Sequence, residues 1–335
     1  MKILFICSGG QNYLETPSEH LARYIIDNYD DIEIDMYNTG FKPPDGVSAK
    51  GYDLVWGEMD VGGAIQRARQ IAKSAGVPCY LHGEWIPPYR IEEGWSEQFQ
   101  TATNLSMVGY YMGNLKAMQT ADLVSLAVGS TAGGFDYIKK KFNIEFDNKF
   151  LRYPACTKYH KLDYEKENAV ATIARANDGK KRVQHTIEAI ARSKSKPKFV
   201  LIGGEVGMKH PIVDIDSKGK WNAYNKVEIF AKSKLAVQHW SGIPPAEAIQ
   251  QGCVVLSYDI DYMRELYGDA LIWVKRDDID ALSKAIDTWL ADDEMREAHA
   301  KKAYDMFVNG ELGVKLQERR AELVVSEIRK LLASE

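Results

Sequence analysis

The sequence predicts an α/β protein of two Rossmann-like domains whose parallel sheets face each other across a cleft, with a C-terminal helix. Three observations lead there. Short apolar runs alternate with segments whose apolar residues recur at helical spacing. That alternation stops once, over the polar, Pro154-bearing stretch Tyr153–Glu167, and then restarts. Several apolar runs end in glycine-bearing turns: Cys7 before Ser8-Gly9-Gly10, Leu81 before His82-Gly83 and Ile202 before Gly203-Gly204. Strands alternating with helices imply parallel sheets covered on both faces. The 335 residues suit two domains at roughly 100–200 residues each.

In the first half, Ile3–Cys7 reads as a strand, Ser18–Asn28 as a helix opened by Thr16-Pro17-Ser18, and Ile32–Tyr37 as a strand. A Pro/Gly loop over Phe41–Gly51 leads to a short strand at Asp53–Trp56. Ala64–Ala75 is a helix stopped by Gly76, followed by the strand Val77–Leu81 and an aromatic loop over Gly83–Trp95. Leu105–Gln119 (helix), Asp122–Ala127 (strand) and Gly134–Phe142 (helix) complete this half. The second half offers strands at Ala169–Ala174, Phe199–Ile202, Leu235–Gln238, Val254–Ser257 and Ile272–Val274. Helices are expected at Gln184–Ser193, Asn225–Ala231, Pro245–Gln251, Ile279–Leu290, Glu294–Phe307 and Leu312–Leu332. The domains expected are 1–155, a linker at 156–167, 168–310, and a terminal helix over 311–335.

Composition narrows the function classes. Hydrophobic residues make up 45% and charged residues 27%, which is globular usage rather than disorder. No apolar run approaches the roughly 20 residues of a membrane span, and the N-terminus lacks a signal-peptide pattern. Residues 1–155 carry 14 Lys and Arg against 19 Asp and Glu, and the remainder 29 against 28. Neither half has the basic footprint of a nucleic-acid binder, so no nucleic-acid partner is expected. Lys139-Lys140-Lys141 reads as a solvated helix face, with peripheral contact to anionic lipid as the most a membrane role would amount to. Cys7, Cys79, Cys156 and Cys253 are scattered without a C-x-x-C pair, which suggests neither zinc nor disulfides and fits a reducing cytoplasm.

Three segments carry candidate chemistry. At Ser8-Gly9-Gly10, Gly9 and Gly10 let backbone N–H groups approach a phosphate at the start of a helix; the plainer reading is a tight turn. The pattern is not G-x-G-x-x-G, which disfavours a nicotinamide dehydrogenase. Arg175, at a strand end, and Lys180-Lys181-Arg182, at the next helix start, can neutralise a diphosphate leaving group; the plainer reading is surface charge. The third and most specific is His239-Trp240-Ser241-Gly242-Ile243-Pro244-Pro245-Ala246-Glu247-Ala248, closing at Gly252-Cys253-Val254-Val255. Glu247, in the first turn of a helix, is placed to accept the hydroxyls of a ribose, or is an acidic residue favoured there by the helix dipole.

Ala169–Ala285 resembles the donor domain of retaining glycosyltransferases of family four, a GT-B group. That domain begins with strand–Arg–loop–Lys–helix, matched by Arg175, Lys181 and Ile187-Glu188-Ala189. It continues to a strand ending in glycines, matched by Leu201-Ile202-Gly203-Gly204. Its Glu-Gly-Phe-Gly-x-Pro-x-x-Glu-Ala block is met by Gly242, Pro244, Glu247 and Ala248, and its Gly-x-Pro-Val-Val turn by Gly252–Val255. Pro78–Gly83 looks like the family's strand ending in His-Gly. One departure is plain: the family's first glutamate lies eight positions before the second, and here that position is His239.

The resemblance implies transfer of a hexose-type sugar from a nucleotide-diphosphate sugar to a hydroxyl of a glycan or glycoconjugate, with retention at the anomeric carbon. It implies no cofactor and no required metal, the nucleotide-sugar being a co-substrate. Arg175 and Lys181 would stabilise the leaving charge, with Lys180 able to replace Lys181. Gly9, Gly10 and Gly204 would approach the donor, His82 would orient its sugar, His239 and Gly242 would meet sugar or phosphate, and Glu247 would hold the ribose. Trp56, Glu58, Trp85 and Tyr89 offer aromatic faces and a carboxylate for the acceptor, or simply pack a loop. The Asp-x-Asp pairs at Asp214–Asp216 and Asp259–Asp261 could hold a cation, a role the cationic groups make unnecessary. Two other classes fit the same chain: a sugar-nucleotide epimerase, which needs no acceptor, and a nucleotide-sugar- or glycan-binding protein without turnover, which the histidine would mark.

Overall fold

The computed structural model describes residues 1–7, 17–38, 46–58, 63–83, 112–127, 134–152, 161–174, 176, 181–203, 207–219, 223–239, 244–260, 263–264, 267–309 and 314–334. Contacts divide the chain into two units, Met1–Ala155 with Leu316–Glu335, and Cys156–Lys315.

The first unit is built on β1 (Lys2–Cys7), β2 (Glu33–Asn38), β3 (Leu54–Glu58), β4 (Cys79–Gly83), β5 (Leu123–Ala127) and β6 (Lys149–Arg152). They form a parallel sheet in the order β2-β1-β3-β4-β5-β6. Helices α1 (Pro17–Asn28), α2 (Ala64–Ala75), α3 (112–119) and α4 (Gly134–Phe142) lie between strands in sequence. The near-continuous apolar runs expected of a sheet buried on both faces are present: β1 reads Ile3 to Cys7 with every one of those residues buried. One face packs on α2 through Ala64, Ile65, Ala68 and Ala72. The other packs on α1 and on α10 (Val314–Ala333), whose Ala321, Val324, Val325 and Ile328 share a core with Phe5, Leu21 and Trp56.

Two glycines are demanded by geometry. A Cβ on Gly57 would stand 2.6 Å from Ala68 Cβ and 2.7 Å from Leu81, so only glycine lets α2 approach β3 this closely. Gly76 ends α2 at φ 68°, its N–H turned back to the carbonyls of Ala72 and Lys73.

The second unit holds β7 (Glu167–Ile173), β8 (Lys198–Ile202), β9 (Ile215–Ser217), β10 (Ser233–Val237), β11 (Val254–Tyr258) and β12 (Ile272–Val274), again all parallel, in the order β12-β11-β10-β7-β8-β9. Its helices are α5 (Val183–Arg192), α6 (Ala223–Lys232), α7 (Pro244–Gln250), α8 (Ile279–Ala291) and α9 (Asp293–Tyr304), the last running into a π-turn at Asp305–Asn309. The segment entering β7 is tacked to this unit. Lys166 Nζ donates to the carbonyls of Phe230 (3.0 Å), Ser233 (3.0 Å) and Gln251 (2.8 Å), and Leu162 N–H donates to the Gln251 side chain at 2.9 Å.

Strand order locates the ligand-binding edge of each sheet. The chain moves from β7 outward to β9, then returns to β10 on the other side of β7. Ligands in such sheets bind beyond the carboxyl ends of the two strands where the order reverses. Those strands are β7 and β10 in the second unit and β1 and β3 in the first. Thr172 Oγ1 donates to Val237 O at 2.9 Å and so stitches β7 to β10 at that edge. The Gln238 amide, oriented as its partners require, accepts from Ile173 N–H (2.9 Å) and donates to Ile173 O (3.3 Å).

Candidate functional site

At the carboxyl edge of the second sheet, α5 begins with an unusual pair of residues. Arg182 precedes the helix at φ 51°, a left-handed conformation uncommon for a residue other than glycine, and Asp277 across from it is at φ 60°. Arg182 Nε donates to Asp277 Oδ1 at 2.8 Å, and this bond anchors the start of the helix. Burial works to raise the Asp277 pKa, but the hydrogen bond and charge of Arg182 outweigh it and hold the carboxyl below its ordinary range. The other end of α5 is fixed by Asp287 of α8, which accepts from Ser193 Oγ (2.6 Å), Lys194 N–H (3.0 Å) and Ser195 N–H (2.9 Å). Lys181, half-buried, sits one residue before Arg182. The first turn of α5 holds no acid, so cations stand where the helix dipole is itself positive, an arrangement that favours an incoming anion.

His239 follows β10 and is buried. Its Nδ1 accepts the backbone N–H of Tyr258 at 3.1 Å, and its Nε2 lies 3.5 Å from Thr186 Oγ1. The Tyr258 ring stacks on it with centroids 4.0 Å apart and 16° between planes. Burial, then the charges of His185 and Arg182, push its pKa down to about 3. The histidine at the family's first acidic position is therefore neutral, with Nδ1 committed to the backbone and Nε2–H as its donor.

Glu247 lies in the first turn of α7 and is 1% exposed. Lys226 of α6 forms an ion pair with its Oε1. Oε2 is buried with no hydrogen-bond partner among the described residues. Burial raises the pKa of this carboxyl, and Lys226 opposes the rise. Native structures rarely bury an acceptor in this state, and a ligand donor is one way to satisfy it.

In the first unit a polar row crosses the carboxyl edge of that unit's own sheet. Cys7, Glu58, His82 and Ser125 are in register on β1, β3, β4 and β5, so all four side chains lie on one face. All are buried. His82 Nδ1 is 2.7 Å from Ser125 Oγ, which is 2.6 Å from the Tyr80 hydroxyl. Glu58 and Glu19, a buried residue of α1, flank Cys7, whose thiol is pushed up by burial first and by these two carboxylates second.

The expected site residues therefore separate. Lys181, His239 and Glu247 fall at or beside the carboxyl edge of the second sheet, and His82 and Glu58 end strands of the first. Trp56 requires correction. It is 0% exposed, with Phe5 edge-on at 4.8 Å and Tyr80 at 5.5 Å, in the core beneath α1 and α10. A strand side chain pointing into a packed face offers no ring to an acceptor. Gly9, Gly10, Trp85, Tyr89, Arg175, Lys180, Gly204 and Gly242 lie outside the described residues. Sequence reasoning missed Lys226, Ser125 and the Arg182–Asp277 anchor. Each is a common residue with no motif around it, and only the fold brings it to its partner.

Asp216, half of one Asp-x-Asp pair, is held by Lys198 at 3.2 Å and Lys218 at 2.8 Å. Asp259 of the other pairs with Arg264, and Asp261 lies outside the described residues. No group of three or more His, Cys, Asp and Glu side chains suited to a metal occurs among the described residues. No helix among them is long and apolar enough to cross a membrane.

Two α/β units with parallel six-stranded sheets of these topologies are the architecture of the GT-B glycosyltransferases, and the chain has that fold. Residues 159–306 match the family model described as glycosyl transferases group 1, over most of the stretch where the sequence resembles that group. Sucrose-phosphate synthase from Thermosynechococcus elongatus superposes with a TM-score of 0.71 at 12% identity, covering 100% of both chains. Anabaena HepE in complex with UDP-glucose gives 0.69 at 15% identity, covering 97% of this chain and 100% of its own. WaaG, a glycosyltransferase involved in lipopolysaccharide biosynthesis, gives 0.63 at 11% identity, covering 96% and 99%. At these identities the likeness is one of fold. No curated protein matches by sequence.

Proposed function

We propose that the protein is a retaining, metal-independent glycosyltransferase, which moves a hexose-type sugar from a nucleotide-diphosphate sugar to a hydroxyl of a glycan or glycoconjugate in the cytoplasm. The observation that carries this reading is Glu247: a buried carboxylate beside the β10 edge, one oxygen on Lys226 and the other without a donor among the described residues. A ribose hydroxyl would satisfy that oxygen. UDP-glucose in the HepE complex makes a uridine donor the first to test.

The chemistry asks little of the protein. Departure of a nucleoside diphosphate concentrates negative charge as the glycosidic bond breaks. Lys181, at the dipole-positive start of α5, would stabilise that charge, with Arg175 and Lys180 in the roles the family resemblance gives them. His82 would orient the donor sugar from the end of β4. The leaving diphosphate itself would take the proton of the acceptor hydroxyl. Asp216 already has two lysine partners, which supports a reaction in which cationic side chains rather than a metal meet the diphosphate. The free thiols of Cys7, Cys79 and Cys253 fit a reducing compartment. One observation favours a second reading, a nucleotide-sugar-binding protein without turnover: the neutral His239 where the family has an acid.

The experiment is incubation with UDP-, GDP-, ADP- and dTDP-sugars, with and without an acceptor glycan, followed by proton NMR of the anomeric signals. Acceptor-dependent release of nucleoside diphosphate with retained configuration supports transfer. Conversion of the donor sugar without acceptor would make the protein an epimerase, and binding without consumption would make it a binder.

A further inference from the structure

A carboxylate as buried as Glu247 takes up a proton unless a counter-ion prevents it. The neighbours of α7 supply one such ion. Lys226 reaches Oε1 from α6. Tyr267, on the segment after β11, is another titratable group beside Glu247; burial, then the charge of Glu247, push its phenol up, so it stays neutral. β11, α9 and the turn Asp305–Asn309 also pack on α7, and among their described residues none brings a charge that acts on Glu247. The Lys226 side chain is 16% exposed, so the pair is shielded from solvent. An ammonium serving both oxygens would make this a closed ion pair. It serves one, and the second stays buried without a donor among the described residues.

We infer that Lys226 is a positioning residue of the donor site: its ammonium fixes the Glu247 carboxylate and keeps it anionic, leaving Oε2 as the acceptor for a ribose hydroxyl of the nucleotide. The inference rests on Glu247 being the ribose-binding group, as proposed above. Lys226 acts through Glu247 and not on the reacting atoms. A purely structural pair would hold α6 to α7 and nothing more. The two roles differ in what the charge does. In Lys226→Gln the amide still donates to Oε1, so the helix contact persists, but the charge is gone. Burial then acts on Glu247 unopposed, so its pKa rises further and the carboxyl, more readily protonated, is a poorer acceptor for a hydroxyl.

The test is calorimetric titration with whichever of UDP-, GDP-, ADP- and dTDP-glucose binds the wild-type protein most tightly. A nucleotide-sugar has no phosphate proton titrating near neutrality, so its own charge stays constant. Wild-type protein and Lys226→Arg should bind with near-constant affinity between about pH 6 and pH 8, whereas Lys226→Gln should bind roughly tenfold or more weakly at the lower pH. A second measurement needs no variant: repeated in buffers of different ionisation enthalpy, wild-type binding should release no proton near pH 7. A flat profile for Lys226→Gln, or release of about one proton by the wild type, would overturn the inference. Glu247→Gln separates it from the reading beneath it. If Glu247→Gln weakens binding while Lys226→Gln stays flat, the ribose role stands and the role of Lys226 falls. If Glu247→Gln binds as the wild type does, or no donor binds at all, both fall.

Discussion

Tyr258 presents its backbone N–H to Nδ1 of His239 at 3.1 Å and lays its ring against the imidazole, centroids 4.0 Å apart. The bond fixes the tautomer, with the proton on Nε2, and burial keeps the ring uncharged. A pH dependence of stability follows. The folded pKa is pushed down to about 3, whereas an unfolded histidine titrates near pH 6.5. Between these values the unfolded chain binds the extra proton, so stability falls as pH drops through that window, by up to about 1.4 kcal/mol per pH unit. His239→Gln can still accept from Tyr258 N–H but does not titrate. Denaturant unfolding at a series of pH values should show the wild type losing stability relative to His239→Gln from about pH 6 to pH 4. Parallel curves would mean that His239 is not held neutral.

Ser125 should matter through His82. Its hydroxyl joins His82 Nδ1 to the Tyr80 phenol in a chain of buried hydrogen bonds. Ser125→Ala leaves a buried ring nitrogen short of its partner, and we expect a loss of about 1–3 kcal/mol in unfolding free energy. If His82 orients the donor sugar, turnover should fall as well, roughly tenfold or more, because small misplacements of a positioning group are expensive. Ser125→Thr, which keeps the hydroxyl, should recover most of the turnover. A stability loss with unchanged turnover would make the chain structural only.

Transfer should survive chelation. Asp216 sits between two lysines, and removing a loosely held divalent ion leaves Lys181 and its neighbours in place. Loss of transfer in excess EDTA, restored by magnesium or manganese, would contradict the role given to the cationic side chains.

Lys181 and Glu247 should separate kinetically. Ribose contacts exist in both ground and transition states, so Glu247→Ala should chiefly raise KM for the donor. Lys181 meets charge that grows as the bond breaks, so Lys181→Ala should depress kcat, on the order of 10²-fold. Lys180→Ala is the control on register. If it carries the loss and Lys181→Ala is silent, the assignment at the start of α5 is off by one.

Much of the fold was legible because its signals are local. Apolar runs such as Leu4–Ile6 and Val254–Leu256 are central strands, and a parallel sheet buried on both faces writes itself as continuous hydrophobicity. Gly76 and Gly252 mark helix ends, with φ of 68° and 72°. The strands β6 and β9 were not read. Both lie at sheet edges and are short and partly polar: Lys149 and Arg152 belong to one, Asp216 and Ser217 to the other. Glu247 stands out as a candidate in the sequence because its block of Gly, Pro and Glu has fixed spacing. Lys226 lies 21 positions earlier on another helix, and no local pattern tells a lysine that pairs with Glu247 from one that faces water. Trp56 misled for a related reason. An aromatic residue near a strand end looks like a ligand platform, and only the packing of α1 and α10 shows that it belongs to the core.

The central claim is that the second unit binds a nucleotide-sugar through Glu247. Calorimetric titration of the wild-type protein and Glu247→Ala with UDP-, GDP-, ADP- and dTDP-glucose tests it most directly. The account predicts saturable binding of at least one donor by the wild type. It predicts affinity weakened at least tenfold in Glu247→Ala, about 1.4 kcal/mol or more, with the variant still folded. Equal affinity in the two proteins, or no binding of any donor at millimolar concentration, would contradict it.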